Sequence, residues 1–393
     1  MHSNKPKVLV IPSWYPPNGG YFFVEHARAL ADQGLQVDVL AGVHRSLRQL
    51  PIKNLNKLFK TQIEICGNFR EFRRDYWIVP FSEKANFVVW QAMMLQFFEW
   101  YKAKYGMPDV VIAHSAIWAG LVASIIWKRF QIPYILVEHR SRFVCNTPEA
   151  CSMIKPWFVK HLKKAFSNAR YVVTVSNSLQ AYIKKTTPEI ANNLITIHNM
   201  VDTDFFRPGS IPLSKRPFSF FALGCLEKIK GMDILLRAFA IIHKAHPGEF
   251  MLVIGGSGVE QKNLEAFVFE NNLETFIRFD GQLDRETVKS HFADSHAFVL
   301  ASRFEAFGVV FIEALASGIP VIATHAGGPS EFIGTMQGIL VPPEDPIALA
   351  NAMLQMRDQY HTFDKENIRE YAVEMFSKDS VAKRYSHLIQ SII

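Results

Sequence analysis

The chain has 393 residues, 49% of them hydrophobic and 20% charged, a composition that excludes a disordered chain and a length that calls for two domains of about 200 residues each. Its net charge of +7 is split by sign: residues 1–200 carry 25 Lys and Arg against 12 Asp and Glu, and residues 201–393 carry 18 against 24. A basic half attracts an anionic partner such as a membrane face, a phosphorylated substrate or a nucleic acid, unless it is only a solvated surface.

In chain order, "MHSNKPKVLVIPSWYPP" runs a short apolar strand, Lys7 to Pro12, into prolines, unlike a signal peptide. Gly19 and Gly20 follow. "FVEHARALADQG" then reads as a helix with Gly34 as its C-cap, and "QVDVLAG" as the next strand. Residues 44–62 interleave Arg45, Arg48, Lys53, Lys57 and Lys60 with leucines and Phe59. "IKPWFVKHLKKAF", residues 154–166, repeats that mixture. Basic amphipathic segments suit an anionic bilayer surface, and equally a core-packing face with solvated lysines. The apolar stretch Phe87 to Tyr101 carries Gln91, Gln96 and Glu99 and is too short and polar to span a bilayer.

"DVVIAH", "YILVEH" and "YVVTVS" read as further strands, each ending in a polar residue. This is the βαβ rhythm of a parallel sheet. Asn199 to Pro217, rich in proline, glycine and serine, interrupts it as a linker. The rhythm then restarts with "FSFFALG", "MDILLRAFAIIHKA", "FMLVIGGSG", "FIRFDG", "AFVLAS", the helix "VVFIEALASG" and the strand "PVIAT", and the chain closes on a helix with Ser377 near its N-cap. Cys66, Cys145, Cys151 and Cys225 form no C-x-x-C pair, so no zinc or redox motif is indicated and a reduced, cytosolic setting is expected.

Ligands of parallel-sheet domains bind at the C-terminal ends of strands, so the polar residues there carry the chemistry. Lys230 precedes Gly231 at a helix start, where free N–H groups and the helix dipole favour an anion; taken alone, it reads as a surface lysine. Gly255, Gly256 and Gly258 lack a full dinucleotide fingerprint and taken alone read as a tight turn. Gly19 and Gly20 allow close approach of a phosphate or sugar, or simply a flexible turn. His139 and His114 end strands, His139 being the better placed to meet a ligand and His114 to line a cleft. Glu305 follows a strand, and Glu313 lies about one and a half turns into the next helix. Carboxylates so placed suit vicinal hydroxyls of a sugar or ribose, and the N–H groups of Ala306, Phe307, Gly308 and Val309 add donors.

"GCLEKIKG", "IGGSGVEQKNLEAF", "IRFDGQL" and "ASRFEAFGVVFIEALASGIPVIATHAGGPSEFI", with "HNMVDTDFFRP", "IPSWYPPNGG" and "VEHR", resemble the family-4 glycosyltransferases of the GT-B fold over nearly the whole chain. The resemblance implies two Rossmann-like α/β domains facing a central cleft. The N-terminal, acceptor-binding domain would take residues 1–205 and the nucleotide-sugar domain 206–375. A helix over 376–393 would return to the first domain. It implies a retaining transferase, moving a sugar from a nucleotide-sugar donor to a glycan or lipid-linked glycan acceptor in polysaccharide or glycoconjugate synthesis.

By position, Glu305 would bind donor-sugar hydroxyls, Glu313 the ribose, and Lys230 the diphosphate. Gly19 and Gly20 would approach the diphosphate, Gly224 and Gly255 would line the donor site, and His139 would contact the sugar near the reacting carbon. No metal or other cofactor is expected, because Lys230, N–H groups and the helix dipole carry the charge. Two departures stand out: Cys225 replaces an arginine that often binds phosphate, with Lys228 or another cation as a substitute, and Met200 replaces a linker glycine. A non-transferase nucleotide-sugar enzyme of the same fold, such as an epimerase, is the alternative, separated by transfer assays. No recognition module supports a nucleic-acid partner. The basic half favours a cytoplasmic protein lying peripherally on the inner face of the membrane.

Overall fold

The computed structural model describes residues 5–17, 19–45, 60–78, 82–139, 156–209 and 217–393. The basic run 46–59, Lys155, Cys145 and Cys151 lie outside the described residues. The chain forms two compact units, Met1–His198 with Val381–Ile393, and Asn199–Ser380.

Among the described residues, the first unit is built on eight strands: β1 (Lys7–Pro12), β2 (Gln36–Arg45), β3 (Thr61–Cys66), β4 (Phe69–Trp77), β5 (Val110–His114), β6 (Tyr134–Glu138), β7 (Tyr171–Thr174) and β8 (Leu194–Thr196). Their order across the sheet is β3-β4-β2-β1-β5-β6-β7-β8. Within β1, β5 and β6, the segments Val8–Ile11, Val110–Ala113 and Tyr134–Val137 are unbroken buried apolar runs, as a parallel sheet covered on both faces requires. Only β3 is antiparallel, paired with β4 through Gly67 and Asn68. The strand reading passed over this hairpin, although a Gly-Asn turn between alternating runs announces one.

Among the described residues, the second unit carries six parallel strands: β9 (Phe218–Leu223), β10 (Phe250–Gly255), β11 (Ile277–Gly281), β12 (Ala297–Leu300), β13 (Val321–Thr324) and β14 (Gly338–Val341). Their order is β11-β10-β9-β12-β13-β14, the doubly wound arrangement. The chain winds outward from β9, then returns to lay β12 on its other side. The crevice at the C-terminal ends of β9 and β12 is therefore the unit's topological switch point, as that of β1 and β5 is in the first unit.

Two sequence expectations need correction or refinement. The first half of the expected linker is packed structure. Val201 and Phe206 are buried, and Arg369 donates to the carbonyls of Thr203 and Phe206 at 2.8 and 2.9 Å. Composition could not show this, since the anchoring arginine lies far along the chain. Most of the helix Lys378–Gln390, from Val381 on, groups with the first unit, where Tyr385 packs on His26 with ring centroids 4.4 Å apart. Ser377 Oγ accepts from Ser380 N at 3.2 Å, as its capping position requires.

The helix Pro156–Ser167 turns Phe158, Leu162, Ala165 and Phe166 into the core and exposes Lys163 and Lys164. Its amphipathic pattern is thus the pattern of a packed surface helix. Among the described residues, no helix is long and apolar enough to cross a membrane.

Candidate functional site

In the second unit, Lys230 ends a short 3-10 turn, Lys228–Lys230, after β9. Gly231 then takes a left-handed φ of 64° and opens the helix Met232–Ala245. A Cβ at Gly231 would run into the carbonyl of Ala301, beyond the end of β12. Only glycine lets the two strand ends come this close. Across the approach, Lys230 Nζ donates to Glu305 Oε2 at 2.5 Å. Ser302 Oγ donates to the same oxygen at 3.4 Å. The two residues read separately along the sequence as phosphate and sugar ligands form one ion pair.

The loop holding Glu305 is pinned on both sides. Glu305 N donates to Ala326 O at 2.7 Å, and Gly328 N donates to Glu305 O at 2.9 Å. The turn "HAGGP" after β13 is therefore the rail on which Glu305 rides. Arg303 ties the loop to the lysine turn: its N donates to Ile229 O at 2.8 Å and its guanidinium spans both oxygens of Asp233 at 2.8 Å. Burial alone would raise the Asp233 carboxyl, but the Arg303 hydrogen bonds and charge outweigh it and hold the group below its ordinary range. Sequence reading passed over Arg303 and Asp233, because their pairing spans 70 residues.

Glu313 is the fifth residue of the helix Val309–Ala316 and is half-buried. Gly308 caps that helix in a left-handed conformation, with no capping side chain and no acidic residue in the first turn. Its leading N–H groups thus have no built-in side-chain acceptor. Ala306 and Phe307 are core residues, Phe307 packing on Phe332 at 5.1 Å, so any ligand contact they make is through their backbone. Val309 is partly exposed. Gly224 N donates to Gly255 O at 3.1 Å, which joins the turns after β9 and β10. Cys225 is an exposed free thiol, and Lys228 is an exposed cation in the neighbouring turn.

In the first unit, Gly20 is the left-handed N-cap of the helix Tyr21–Asp32, again with no side-chain cap and no acidic first turn. A Cβ there would meet Phe23 and the Trp14 carbonyl, both at 2.9 Å. Gly19 precedes it at φ 87°. His139 sits just past β6, half-buried, its ring 5.1 Å from Phe22 and 5.7 Å from Phe23. Its backbone N–H is held by the fully buried Glu138, whose Oε1 accepts it at 2.9 Å while Oε2 accepts the backbone N–H of Ala116 at 2.8 Å.

His139 also closes a row of three imidazoles. His26 Nδ1 lies 3.0 Å from His114 Nε2, and His114 Nδ1 lies 3.0 Å from His139 Nε2. Burial first, then the charge of His139, holds His26 down at about 3. Burial, then His26 and His139, keeps His114 well below the ordinary imidazole range. His114, expected to line a cleft, is instead almost wholly buried behind His139.

Among the described residues, one group of acidic and thiol side chains is close enough to share an ion: Glu64, Cys66 and Glu71. Arg73 and Tyr15 already engage Glu71, at 2.7 and 2.6 Å. Burial first, then Glu71 and Glu64, pushes the Cys66 thiol up to about 11. A protonated thiol and a salt-bridged carboxylate are poor metal ligands.

Comparison with known proteins places this geometry in context. Residues 19–205 match the family model described as Glycosyltransferase Family 4, and residues 206–375 match that described as Glycosyl transferases group 1. A candidate teichuronic acid biosynthesis glycosyltransferase of Bacillus subtilis is 25% identical over 98% of both chains. Among solved structures, sucrose-phosphate synthase from Thermosynechococcus elongatus superposes with a TM-score of 0.80 at 22% identity, covering 98% of this chain and 99% of that one. Anabaena Alr3699/HepE, solved with UDP and glucose, superposes with a TM-score of 0.74 at 19% identity, covering 98% and 100%.

Proposed function

The chain belongs to the family-4 glycosyltransferases of GT-B fold, and from that premise we propose that it is a retaining enzyme. Its donor is a nucleotide sugar, and its acceptor a glycan or lipid-linked glycan of a cell-surface polysaccharide or glycoconjugate. The observation that carries this reading is the Lys230–Glu305 pair at the switch point of the second unit. A nucleotide sugar offers a diphosphate for the cation and vicinal hydroxyls for the carboxylate. Each half of the donor replaces one half of the pair, so neither charge is left without a partner when the donor enters.

In this reading Glu313 takes the ribose hydroxyls and the open N–H groups around Gly308 and Val309 supply donors. Gly224, Gly255, Gly19 and Gly20 let backbone approach the donor, and His139 donates to its sugar. As the C1–O bond to the diphosphate breaks, negative charge grows on the leaving group, where Lys230 and the helix start at Gly231 stabilise it. The acceptor hydroxyl attacks C1 from the face the diphosphate leaves, and the departing phosphate oxygen takes its proton. Lys228 replaces the arginine that Cys225 displaces. The charge is met by protein groups without a metal, so transfer persists in chelator. The UDP bound by Alr3699/HepE supports a nucleoside diphosphate donor.

The experiment is a panel of UDP-, GDP- and ADP-sugars, read first as thermal shift and then as sugar transfer. A ligand that binds only the native state raises its apparent stability. One donor of the panel stabilises the protein and is consumed with its anomeric configuration kept. An inverted product ends the retaining assignment. The basic excess of residues 1–200 supports contact with an anionic membrane surface in the cell interior, made by lysine faces such as that of helix Pro156–Ser167. Absence of binding to anionic liposomes at low salt removes that part.

A further inference from the structure

The row His26–His114–His139 goes beyond a contact for the donor sugar. His26 lies on the helix Tyr21–Asp32, His114 ends β5 and His139 follows β6, so three separate elements bring one imidazole each. His114 is 1% and His26 4% exposed. Both ring nitrogens of His114 are taken by the neighbouring imidazoles, at 3.0 Å each. A neutral imidazole carries one N–H and one lone pair. His114 must therefore donate to one neighbour and accept from the other, and the whole row runs in one direction.

Two directions exist. In one, protons sit on every Nδ1: His26 donates to His114, His114 donates to His139, and His139 keeps its own proton on Nδ1. In the other, protons sit on every Nε2 and the donation runs backwards, from His139 to His26. His26 Nε2 decides between them, since it is buried with no hydrogen-bond partner among the described residues. The first direction leaves a buried lone pair there. The second leaves a buried N–H there. Among backbone groups a buried N–H without an acceptor is rarer than an under-used acceptor, and that ranking favours the first direction.

We propose that His26 and His114 are positioning residues that fix the tautomer of His139. The row holds His139 with its proton on Nδ1 and its Nε2 filled from His114. His139 then presents a hydrogen-bond donor to a ligand, and its basic lone pair is occupied. A residue set in this way orients a donor-sugar hydroxyl or oxygen and cannot act as a general base. This rests on the reading of His139 as a donor-sugar contact, and it deepens that reading by assigning the atom that makes the contact and the two residues that set it.

The test is a long-range proton–nitrogen spectrum of the full chain with labelled histidines, the His139 and His114 signals being assigned by their loss in His139→Gln and His114→Gln. Both residues are expected as Nδ1–H tautomers in the wild-type protein, a measurement that needs no activity. Signals of the Nε2–H tautomer at His139 overturn the proposal. His114→Asn keeps an amide donor near the place of Nδ1 and is expected to retain the His139 tautomer and most of the transfer rate. His114→Phe removes the donor; the His139 tautomer population is expected to spread and kcat/KM to fall about tenfold. A single unchanged tautomer in His114→Phe also overturns the proposal. His139→Ala with wild-type transfer sinks the sugar-contact reading instead, and leaves the tautomer measurement standing.

Discussion

Glu305 and Glu313 flank an apolar run in the sequence, and their places after a strand and inside the next helix make them candidate ligands for hydroxyls. What no spacing could show is that Lys230, 75 positions earlier, is the partner of Glu305. The pair is one-quarter exposed or less on either side, so removing one member leaves a costly charge behind. Lys230→Ala is expected to lower kcat/KM for transfer by about a hundredfold or more, as loss of a group that meets leaving-group charge does. Glu305→Gln keeps the shape but loses the charge, and is expected to cost about tenfold or more. Kinetics with the identified donor check both, and near wild-type transfer in either variant ends its assigned role. Arg303 and Glu138 belong to the same scale. Each holds backbone of a site loop through its side chain, and neither stands in a pattern that a single sequence displays.

The turns after β9 and β12 place Lys230 against Glu305 because Gly231 lies against the Ala301 carbonyl. Gly231→Ala would force a residue with a Cβ into a left-handed φ of 64°, at about 1–3 kcal/mol before the collision with Ala301 is counted. A lower denaturant midpoint together with weaker donor binding is expected. A midpoint unchanged from wild type shows that the close approach is not needed. The strands and most helices of the α/β rhythm were legible because buried parallel strands are short apolar runs and their helices keep a 3.6-residue period. The β3–β4 hairpin and the packed stretch Val201–Phe206 were missed, the first through an unread turn and the second because its partner, Arg369, comes late in the chain.

The first unit is completed by the last residues of the chain, where Val381, Ala382, Tyr385 and Ile389 are buried. Each buried side chain of this kind contributes about 1–3 kcal/mol, against a typical net domain stability of about 5–15 kcal/mol. Truncation after Ser380 is expected to lower the unfolding midpoint of the first unit and to leave that of the second in place, read as two transitions in urea. The buried histidine row makes stability depend on pH. His26 has a native value of about 3 against 6.5 in the ordinary range, so below about pH 6.5 the unfolded chain binds a proton that the native chain refuses. Stability is fully present above that value and is lost as pH falls toward 3, by about 1.4 kcal/mol per pH unit for each such histidine. Urea unfolding at a series of pH values checks the slope, which is expected to be shallower in His26→Gln.

By itself the sequence determined the two α/β units, the family, the positions of Lys230, Glu305 and His139 at the ends of elements, and that of Glu313 inside a helix. These follow from periodicity and short motifs, which are local properties of a chain. The tertiary structure alone decided that Lys230 and Glu305 are one pair, that Arg303 and the turn after β13 hold them, and that His139 stands at the end of a row of imidazoles. The reason is that a doubly wound sheet brings β9 beside β12, and β1 beside β5, across long stretches of intervening chain. Partners made by such crossovers have no fixed separation in sequence, and only the folded chain states which residues they are.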